Sequence, residues 1–373
     1  MNTRFSFACL LLLLSVVFAC QQAKPVKSLL PKIDSLFQTI PDFSGVVLLA
    51  DRGRILYHKA FGYRRFETRA SMDTTDIFEL ASVSKQFTAM IIMMLAEDHK
   101  LDYEDPVARY LPNLPYRNIT IRHLLTHTSG LPDYQAVMDQ YWDKSKVASN
   151  EDNIRYLIQY HPDPLFRPGD EYEYSNTGYM LLATIAEIAS GEDFIELCRS
   201  RIFSPLGMTQ TDFRTPSQKR SIDHFTSGYL HDPERDRYIN ADSFPAFNYT
   251  IWLGNRKGPG RISSTARDLF TWDRALYTGK LVHTNSMREA YSPMNLADGT
   301  LSYYGFGWVI TSDSLWGDVV SHTGDNPGYK TEIVRYIDAD KTIILLNNNA
   351  HEKKSEIIKG LRAILSGNRR HDH

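Results

Sequence analysis

SVSKQFTAMIIMML, at residues 82–95, has the length and residue types of a buried helix. It ends near His99 and Lys100, and cations suit a helix C-terminus. On its N-terminal side, residues 44–50 (SGVVLLA) and 55–61 are predicted to form a β-hairpin around a short Asp-Arg-Gly turn. The folded part of the chain is therefore expected to start with two strands and to continue into this helix.

Downstream, residues 100–250 have a mostly helical pattern broken by Pro and Gly, and residues 212–260 are loop-like. Further helices are predicted at 120–126, 179–189, 265–276 and 352–365. Three short apolar segments near the C-terminus are predicted as strands: 319–320, 331–336 and 342–346. Strands at both ends with helices between them predict an α+β fold. Its central antiparallel sheet would come from both chain ends, be flanked by helices and carry a mostly helical inserted subdomain.

The composition, 42% hydrophobic and 23% charged, is that of a globular protein with a sizeable core. We expect one catalytic domain over residues 31–373. Its α/β part would cover about residues 31–98 and 255–368, and its helical part about residues 99–254.

The N-terminus has the features of an export signal. Arg4 precedes an almost wholly apolar run of about fourteen residues, which is too short for an ordinary membrane span and right for a signal peptide. The run ends in Val-Phe-Ala-Cys, which resembles a bacterial lipobox with Cys20 as the lipidated residue. We expect a signal peptide at 1–19, a tether at 20–30 and an exported, membrane-anchored bacterial lipoprotein, periplasmic or at the cell surface. The alternative is a plain secretory signal that is cleaved nearby.

Several function classes are disfavoured. The net charge of −2 gives no basic field for nucleic acid. Neither a Walker A motif nor a dinucleotide loop occurs, so no nucleotide cofactor is expected. His123 and His127 lie four residues apart, but no third ligand stands out, so no metal is expected and both are interpreted as structural. Cys198 would be the one thiol left in the mature chain, which excludes an intramolecular disulfide there.

Ser82 and Lys85 form the only S-x-x-K in the chain. On a helix these positions share one face, about one turn apart. Ser82 would lie at the helix N-terminus, where free N–H groups favour an oxyanion and disfavour an ammonium. Burial lowers the lysine pKa further, and a neutral amine could take the serine proton. The alternative is a serine that only caps the helix and a lysine that is solvated.

A Tyr-x-Asn pattern occurs three times, at 116–118, 174–176 and 238–240. Only the second lies at a loop-to-helix entry that could project a side chain into a cleft, so Tyr174 is the candidate proton carrier and Asn176 a candidate ligand of the lysine. His322-Thr323-Gly324 follows an apolar pair and is predicted on an edge strand, where backbone groups can bind substrate.

The motifs SVSK, YSN and HTG, in that order, resemble the class C β-lactamase and D-Ala-D-Ala carboxypeptidase superfamily of penicillin-binding serine hydrolases. The resemblance extends to FELASVSKQFTAM, LLTHTSGLPDY, FRPGDEYEYSNTGY, PLGMTQT, RISSTARDLFTW and YGFGW, and covers roughly residues 35–365. It implies a β-lactamase/transpeptidase-like fold and a β-lactamase-related serine hydrolase.

The resemblance also implies roles for single residues. Ser82 would be the acylated nucleophile, and Lys85 and Tyr174 would share the general base and acid duties, with the order of proton transfer left open. Asn176 would position the lysine and the substrate. The oxyanion hole would consist of the backbone N–H groups of Ser82 and Asp325. His322 and Thr323, with Gly324 beside them, would face the substrate's carboxylate end.

Two residues depart from the family pattern. His322 stands where many β-lactamases have Lys, which replaces a fixed cation by one expected to titrate near pH 6–7. Asp325 stands where a small residue is usual, and its carboxylate would be unfavourable beside an oxyanion unless it points away. The change at His322 favours a peptidase or esterase over an efficient β-lactamase, and Asp325 leaves the exact substrate open.

We therefore predict hydrolysis of an amide or ester through a Ser82 acyl-enzyme. Candidate substrates are D-amino-acid peptides, cell-wall peptides, small esters and β-lactams. The alternative is a penicillin- or peptidoglycan-binding sensor protein without turnover.

Overall fold

The computed structural model describes residues 29–244, 246 and 248–367. The predicted signal peptide, Cys20 and residues 21–28 of the predicted tether lie outside these residues. The last two tether positions already belong to a helix, Leu29–Gln38, that the sequence patterns did not predict. In the described part of the chain no helix has both the length and the apolar character needed to cross a bilayer.

The main sheet has six antiparallel strands in the order β3-β4-β5-β6-β1-β2. The strands are β1 (Gly45–Asp51), β2 (Arg54–Phe61), β3 (Val309–Asp313), β4 (Gly317–Asn326), β5 (Tyr329–Tyr336) and β6 (Lys341–Asn347). Gly45 pairs with Asn347, so the two ends of the chain meet in the centre of the sheet. The predicted α+β class with a sheet from both ends is confirmed.

The central strands are apolar at nearly every position because both faces of the sheet are covered. Successive side chains of a strand point to opposite faces. Val47 and Leu49 accordingly pack in the cluster with the two terminal helices, whereas Val46 and Leu48 belong to the larger core on the other face.

Helices make up much of the remaining described chain. They are α1 (Leu29–Gln38), α2 (Lys85–Glu97), α3 (Ile121–Leu125), α4 (Tyr134–Tyr141), α5 (Asn150–Tyr160), α6 (Asn176–Ser190), α7 (Phe194–Cys198), α8 (Ser204–Leu206), α9 (Pro216–Ser221), α10 (Tyr249–Trp252), α11 (Ala266–Ala275), α12 (Thr284–Ala290) and α13 (Lys354–Ser366). The side chains of α2 are buried from Lys85 to Leu95, as expected for a helix that is apolar on all sides and lies inside the core.

Short strands lie outside the main sheet. They are Tyr63–Arg65 with Ala70–Ser71, Phe78–Glu79 and Asp212–Phe213 on either side of Ile262–Ser264, Tyr229–Asp232 with Arg237–Asn240, and Met294–Asn295 with Leu301–Ser302. The region 212–260, predicted as a loop, therefore contains strands and the helices α9 and α10. These elements are short and polar, so they have little of the periodicity that identifies longer elements.

Candidate active site

Ser82 lies in a tight 3-10 turn, Ala81–Ser84, that leads directly into α2. The turn is held between two strands. The Leu80 N–H donates to the Ile262 carbonyl at 2.9 Å, and the Thr331 hydroxyl donates to the Leu80 carbonyl at 2.7 Å. The backbone of Ala81 has φ +50, a strained value for a residue other than glycine. The sequence predicted a regular helix start here, and the structure instead has a strained turn that fixes the serine.

Gly324 explains how closely β4 approaches this turn. A Cβ atom at position 324 would lie 2.1 Å from the Leu80 carbonyl oxygen and equally close to the Thr331 hydroxyl. Only glycine fits there, so the third motif and the segment before Ser82 lie in direct contact.

The Lys85 amine reaches three acceptors, and all three are uncharged. Its Nζ lies 3.1 Å from Ser82 Oγ, 2.8 Å from Asn176 Oδ1 and 2.9 Å from the carbonyl oxygen of Pro259. The side chain is fully buried, and none of the ion pairs found among the described residues involves it. The structure therefore brings the serine, the lysine and the asparagine together. Helical spacing predicted the first contact, and the loop-to-helix position of Asn176 suggested the second.

Burial lowers the pKa of Lys85 well below its usual range, and the positive charge of Arg256 lowers it further. A neutral amine has two N–H groups and one lone pair. The Asn176 and Pro259 oxygens can accept hydrogen bonds but cannot donate them, so the two N–H groups of the amine point to these oxygens. The lone pair then faces Ser82, whose hydroxyl can donate its proton to it.

Tyr174 lies beside this pair. Lys85 Nζ is 4.7 Å from the centre of the Tyr174 ring. One part of the side chain is open to solvent, since 37% of the residue is exposed. Burial nevertheless raises the pKa of the hydroxyl, and the interaction of that hydroxyl with the Ser82 side chain opposes the rise only in part. The phenol is therefore protonated at neutral pH and is suited to give a proton rather than to take one.

The turn that carries Tyr174 is anchored at α6. The Ser175 hydroxyl accepts the Gly178 N–H at 3.1 Å and caps the helix, which places Asn176 in its first turn. The Ser175 N–H donates to His127 Nδ1 at 3.1 Å. These bonds aim Tyr174 and Asn176 at Lys85 from one side.

His127 is a site residue that the sequence patterns did not identify. Its buried ring lies with its centre 4.3 Å from that of Tyr174 and 4.4 Å from that of Tyr304. Because Nδ1 accepts the Ser175 N–H, the proton is on Nε2, which is buried without a hydrogen-bond partner among the described residues. His127 was interpreted as structural, and in the structure it supports the turn that carries Tyr174 at the candidate active site.

The third motif lies on β4, which is not an edge strand over its whole length. β3 pairs with residues 317–321, and the motif half of β4, from His322 to Asn326, continues beyond that pairing. The predicted edge position is therefore wrong for the strand as a whole and applies only to its motif-bearing half. That half pairs with β5 on one side and contacts the Ser82 turn.

The expected titration of His322 near pH 6–7 is wrong. The ring is buried, its Nδ1 donates to the Thr323 carbonyl at 2.6 Å, and its Nε2 accepts from the Tyr304 hydroxyl at 2.7 Å. Burial lowers the pKa of His322 to about 3. The imidazole is neutral, and both of its nitrogens are hydrogen-bonded. Thr323 and Asp325, by contrast, are exposed.

Asp325 does not carry an uncompensated charge. Its carboxylate lies 2.6 Å from the Lys330 amine, its partner in the β4–β5 register. The lysine compensates the negative charge that the sequence placed beside the candidate oxyanion hole.

Comparisons with known proteins show the family of the chain. The chain matches the Beta-lactamase family over residues 33–366. It is 42% identical to Penicillin-binding protein 4* of Bacillus subtilis, over 90% of this chain and 76% of that protein. It is 25% identical to a D-aminopeptidase of Gluconobacter oxydans, over 85% of this chain and 58% of that protein.

Among solved structures, the octameric penicillin-binding protein homologue from Pyrococcus abyssi superposes with a TM-score of 0.78 at 26% identity. The alignment covers 91% of this chain and 77% of that one. The chain therefore belongs to the beta-lactamase family and to the serine hydrolase superfamily that contains it.

Proposed function

We propose that the protein hydrolyses the amide bond next to a D-amino acid residue in cell-wall-type peptides, through an acyl-enzyme on Ser82. β-Lactams would acylate the same serine, and small esters would be further substrates. The names of the penicillin-binding and D-aminopeptidase relatives support this substrate class. The observation that carries the proposal is the buried Lys85 amine, whose hydrogen-bond acceptors among the described residues are the Ser82 hydroxyl and two neutral oxygens.

In the first step Ser82 Oγ attacks the scissile carbonyl carbon while its proton passes to the Lys85 lone pair. The carbonyl π electrons move to the oxygen, and the backbone N–H groups of Ser82 and Asp325 stabilise the resulting oxyanion. Such donors contribute about 2.7–4 kcal/mol each. Lys85 rather than Tyr174 is the first base, because the amine has a lowered pKa and the phenol a raised one.

In the second step the carbon–nitrogen bond breaks. The leaving nitrogen takes the Tyr174 proton, and the Lys85 ammonium then gives its proton to the Tyr174 phenolate. The released amine product has gained one proton, and Lys85 is neutral again. A water molecule then attacks the acyl carbon and gives its proton to the same lysine. The bond between the acyl carbon and Ser82 Oγ then breaks, the acid is released, and Lys85 gives the proton back to Ser82.

A fluorescent penicillin tests the proposal. After incubation and digestion, mass spectrometry should find the label on Ser82. Lys85→Ala should slow labelling strongly, whereas Lys100→Ala, an exposed lysine just beyond the same helix, should not. A label on Ser84 or Ser321 would contradict the assignment.

Turnover separates a hydrolase from a sensor protein. Steady release of product from a D-alanyl peptide or a fluorogenic ester supports the hydrolase. One equivalent of product followed by arrest would instead indicate the non-turnover, penicillin-binding sensor.

We also propose that the chain is exported and anchored through a lipid on Cys20. Radiolabelled palmitate should enter the protein in bacterial cells, and Cys20→Ala should abolish incorporation. Incorporation that persists in Cys20→Ala would contradict the anchor.

A further inference from the structure

A cavity of about 890 Å³ lies beside the Ser82 turn, at the end of β4. Its wall includes Glu79, three residues before Ser82, and Asn326, which follows Asp325. The Asn326 amide donates to a Glu79 carboxylate oxygen at 3.1 Å and so joins the two segments. An acyl group that lies along β4 past the Asp325 amide would extend toward this cavity.

The buried wall of the cavity has more positive than negative charge. Lys219 and Arg261 both contact the carboxylate of Glu79, the first in a short ion pair and the second at 3.5 Å. Glu79 and Arg261 are buried, and only 11% of the Lys219 side chain is exposed. A third cation, Arg256, also acts on Glu79 and donates a hydrogen bond to the neutral hydroxyl of Tyr134 at 2.9 Å. Lys219 and Arg261 in the cavity wall, and Arg256 outside its lining, therefore act on one carboxylate.

The pKa of Lys219 fits a surplus of positive charge, and the backbone of Arg261 is strained. Burial and the neighbouring Arg261 lower the pKa of Lys219 to about 8, even though Glu79 opposes the shift. The backbone of Arg261 has φ +80, a conformation that favours glycine and that is tolerated here in a residue lining the cavity. Strain of this kind is concentrated at functional sites.

The remaining carboxylates of the cavity do not remove the surplus. Asp223 is shared between Arg65 at 3.3 Å and Arg64 at 3.4 Å. Asp242 is exposed and accepts a hydrogen bond from a hydroxyl, although it also lies close enough to raise the pKa of Lys219. Arg220, exposed on α9, adds another positive charge to the lining.

We propose that this cavity binds a carboxylate on the acyl part of the substrate, with Lys219 and Arg261 as its partners. A buried cation gains most from a partner that is both charged and hydrogen-bonded, and a carboxylate supplies both. The proposal rests on the function proposed above and narrows its substrates to acyl donors that carry an acidic group beyond the scissile carbonyl.

The test uses two substrates that differ only in this group. One is D-alanine p-nitroanilide acylated with glutarate, and the other carries the terminal carboxamide in place of the carboxylate. The value of kcat/KM should be about tenfold higher for the carboxylate, the scale of one charge-assisted hydrogen bond. Lys219→Gln should bring the ratio of the two values close to one. The ion pair of Arg261 with Glu79 remains in this variant and keeps the cavity wall intact.

Lys100→Gln is the matched control and should keep the tenfold ratio. Equal kcat/KM values for the two substrates in the native protein, or a ratio that Lys219→Gln leaves unchanged, would overturn the inference. If neither substrate is hydrolysed, the proposed function fails for this bond, and the same two compounds are compared as ligands of the Ser82→Ala protein by calorimetry. Tighter binding of the carboxylate supports the cavity, and equal affinity overturns it.

Discussion

Two buried cations in this molecule have opposite surroundings. Arg335, on β5, lies 2.5 Å from the carboxylate of Asp273, and both side chains are almost completely buried. The guanidinium also donates to the Tyr291 hydroxyl and lies 4.6 Å from the Tyr277 ring centre. Lys85, on α2, has no carboxylate within ion-pair distance among the described residues, and its partners are a hydroxyl, an amide and a carbonyl.

The different surroundings of Arg335 and Lys85 indicate a structural role for the first cation and a proton-transfer role for the second. The pKa of Arg335 is raised, so its charge is permanent and joins β5 to α11. The pKa of Lys85 is lowered, because burial penalises a charge that nothing compensates. A buried amine without a counter-charge is poorly suited to hold a fold together and well suited to exchange a proton. Each of the following predictions tests one side of this comparison.

The largest effect is expected for Lys85→Met. Acylation of Ser82 should fall by at least about a thousandfold, because the hydroxyl loses its base. The free energy of unfolding should stay unchanged or rise, since no buried counter-charge is left behind. Rapid mixing with a chromogenic cephalosporin measures the acylation rate. Urea denaturation measures the free energy of unfolding. Loss of activity together with a large loss of stability would mean that Lys85 is structural.

Arg335→Met should have the opposite pattern. It leaves the Asp273 carboxylate buried, with only Arg274 to compensate it, and should lower the free energy of unfolding by about 3–5 kcal/mol. The exposed pair of Arg155 with Asp152 supplies the control, because Arg155→Met should cost under about 1 kcal/mol. Equal losses of unfolding free energy in the two variants would show that the buried ion pair stabilises the fold no more than the exposed one.

Tyr174→Phe should lower kcat for an amide substrate by about a hundredfold, since the leaving nitrogen loses its proton donor. A p-nitrophenyl ester should be affected less, because its leaving group departs without a proton. Steady-state kinetics on the two substrates give the comparison. An equal loss on both would show that the phenol does not protonate the leaving group.

The smallest effect concerns pH. The acylation rate should rise with pH as Lys85 loses its proton and should level off once the amine is neutral. His322 should add no step between pH 5 and 8, because its pKa is about 3 and its ring is neutral throughout that range. His322→Gln should therefore leave the shape of the pH–rate profile unchanged over this interval. A step that disappears in the variant would show that the imidazole titrates there.

Much of the fold could be predicted from the sequence because the main elements are apolar and regular. β1, β6 and α2 each carry an almost continuous apolar run, and the predicted bounds fall within a few residues of the observed ones. The short helix Leu29–Gln38 was missed, because the polar sequence before it suggested a tether.

At the candidate site, helical spacing was enough to predict the contact of Ser82 with Lys85, and the loop-to-helix context of its motif pointed to Asn176. It could not identify Pro259, which contributes a backbone carbonyl and therefore leaves no side-chain signal. Tyr304 was equally hidden, because its bond to His322 depends on how β4 packs against the loop before β3. The charge state of His322 followed from this packing and not from its residue type.

The most direct test of the account is the pKa of Lys85 itself. In protein labelled with ¹³C at the lysine Cε, NMR titration should give a Lys85 signal that loses its proton well below the solvated lysines, and Lys85→Met identifies that signal. Lys219, whose pKa is lowered to about 8, supplies an internal comparison that Lys219→Gln assigns. A Lys85 signal that titrates together with the solvated lysines would contradict the central claim that the amine is neutral when it meets the serine.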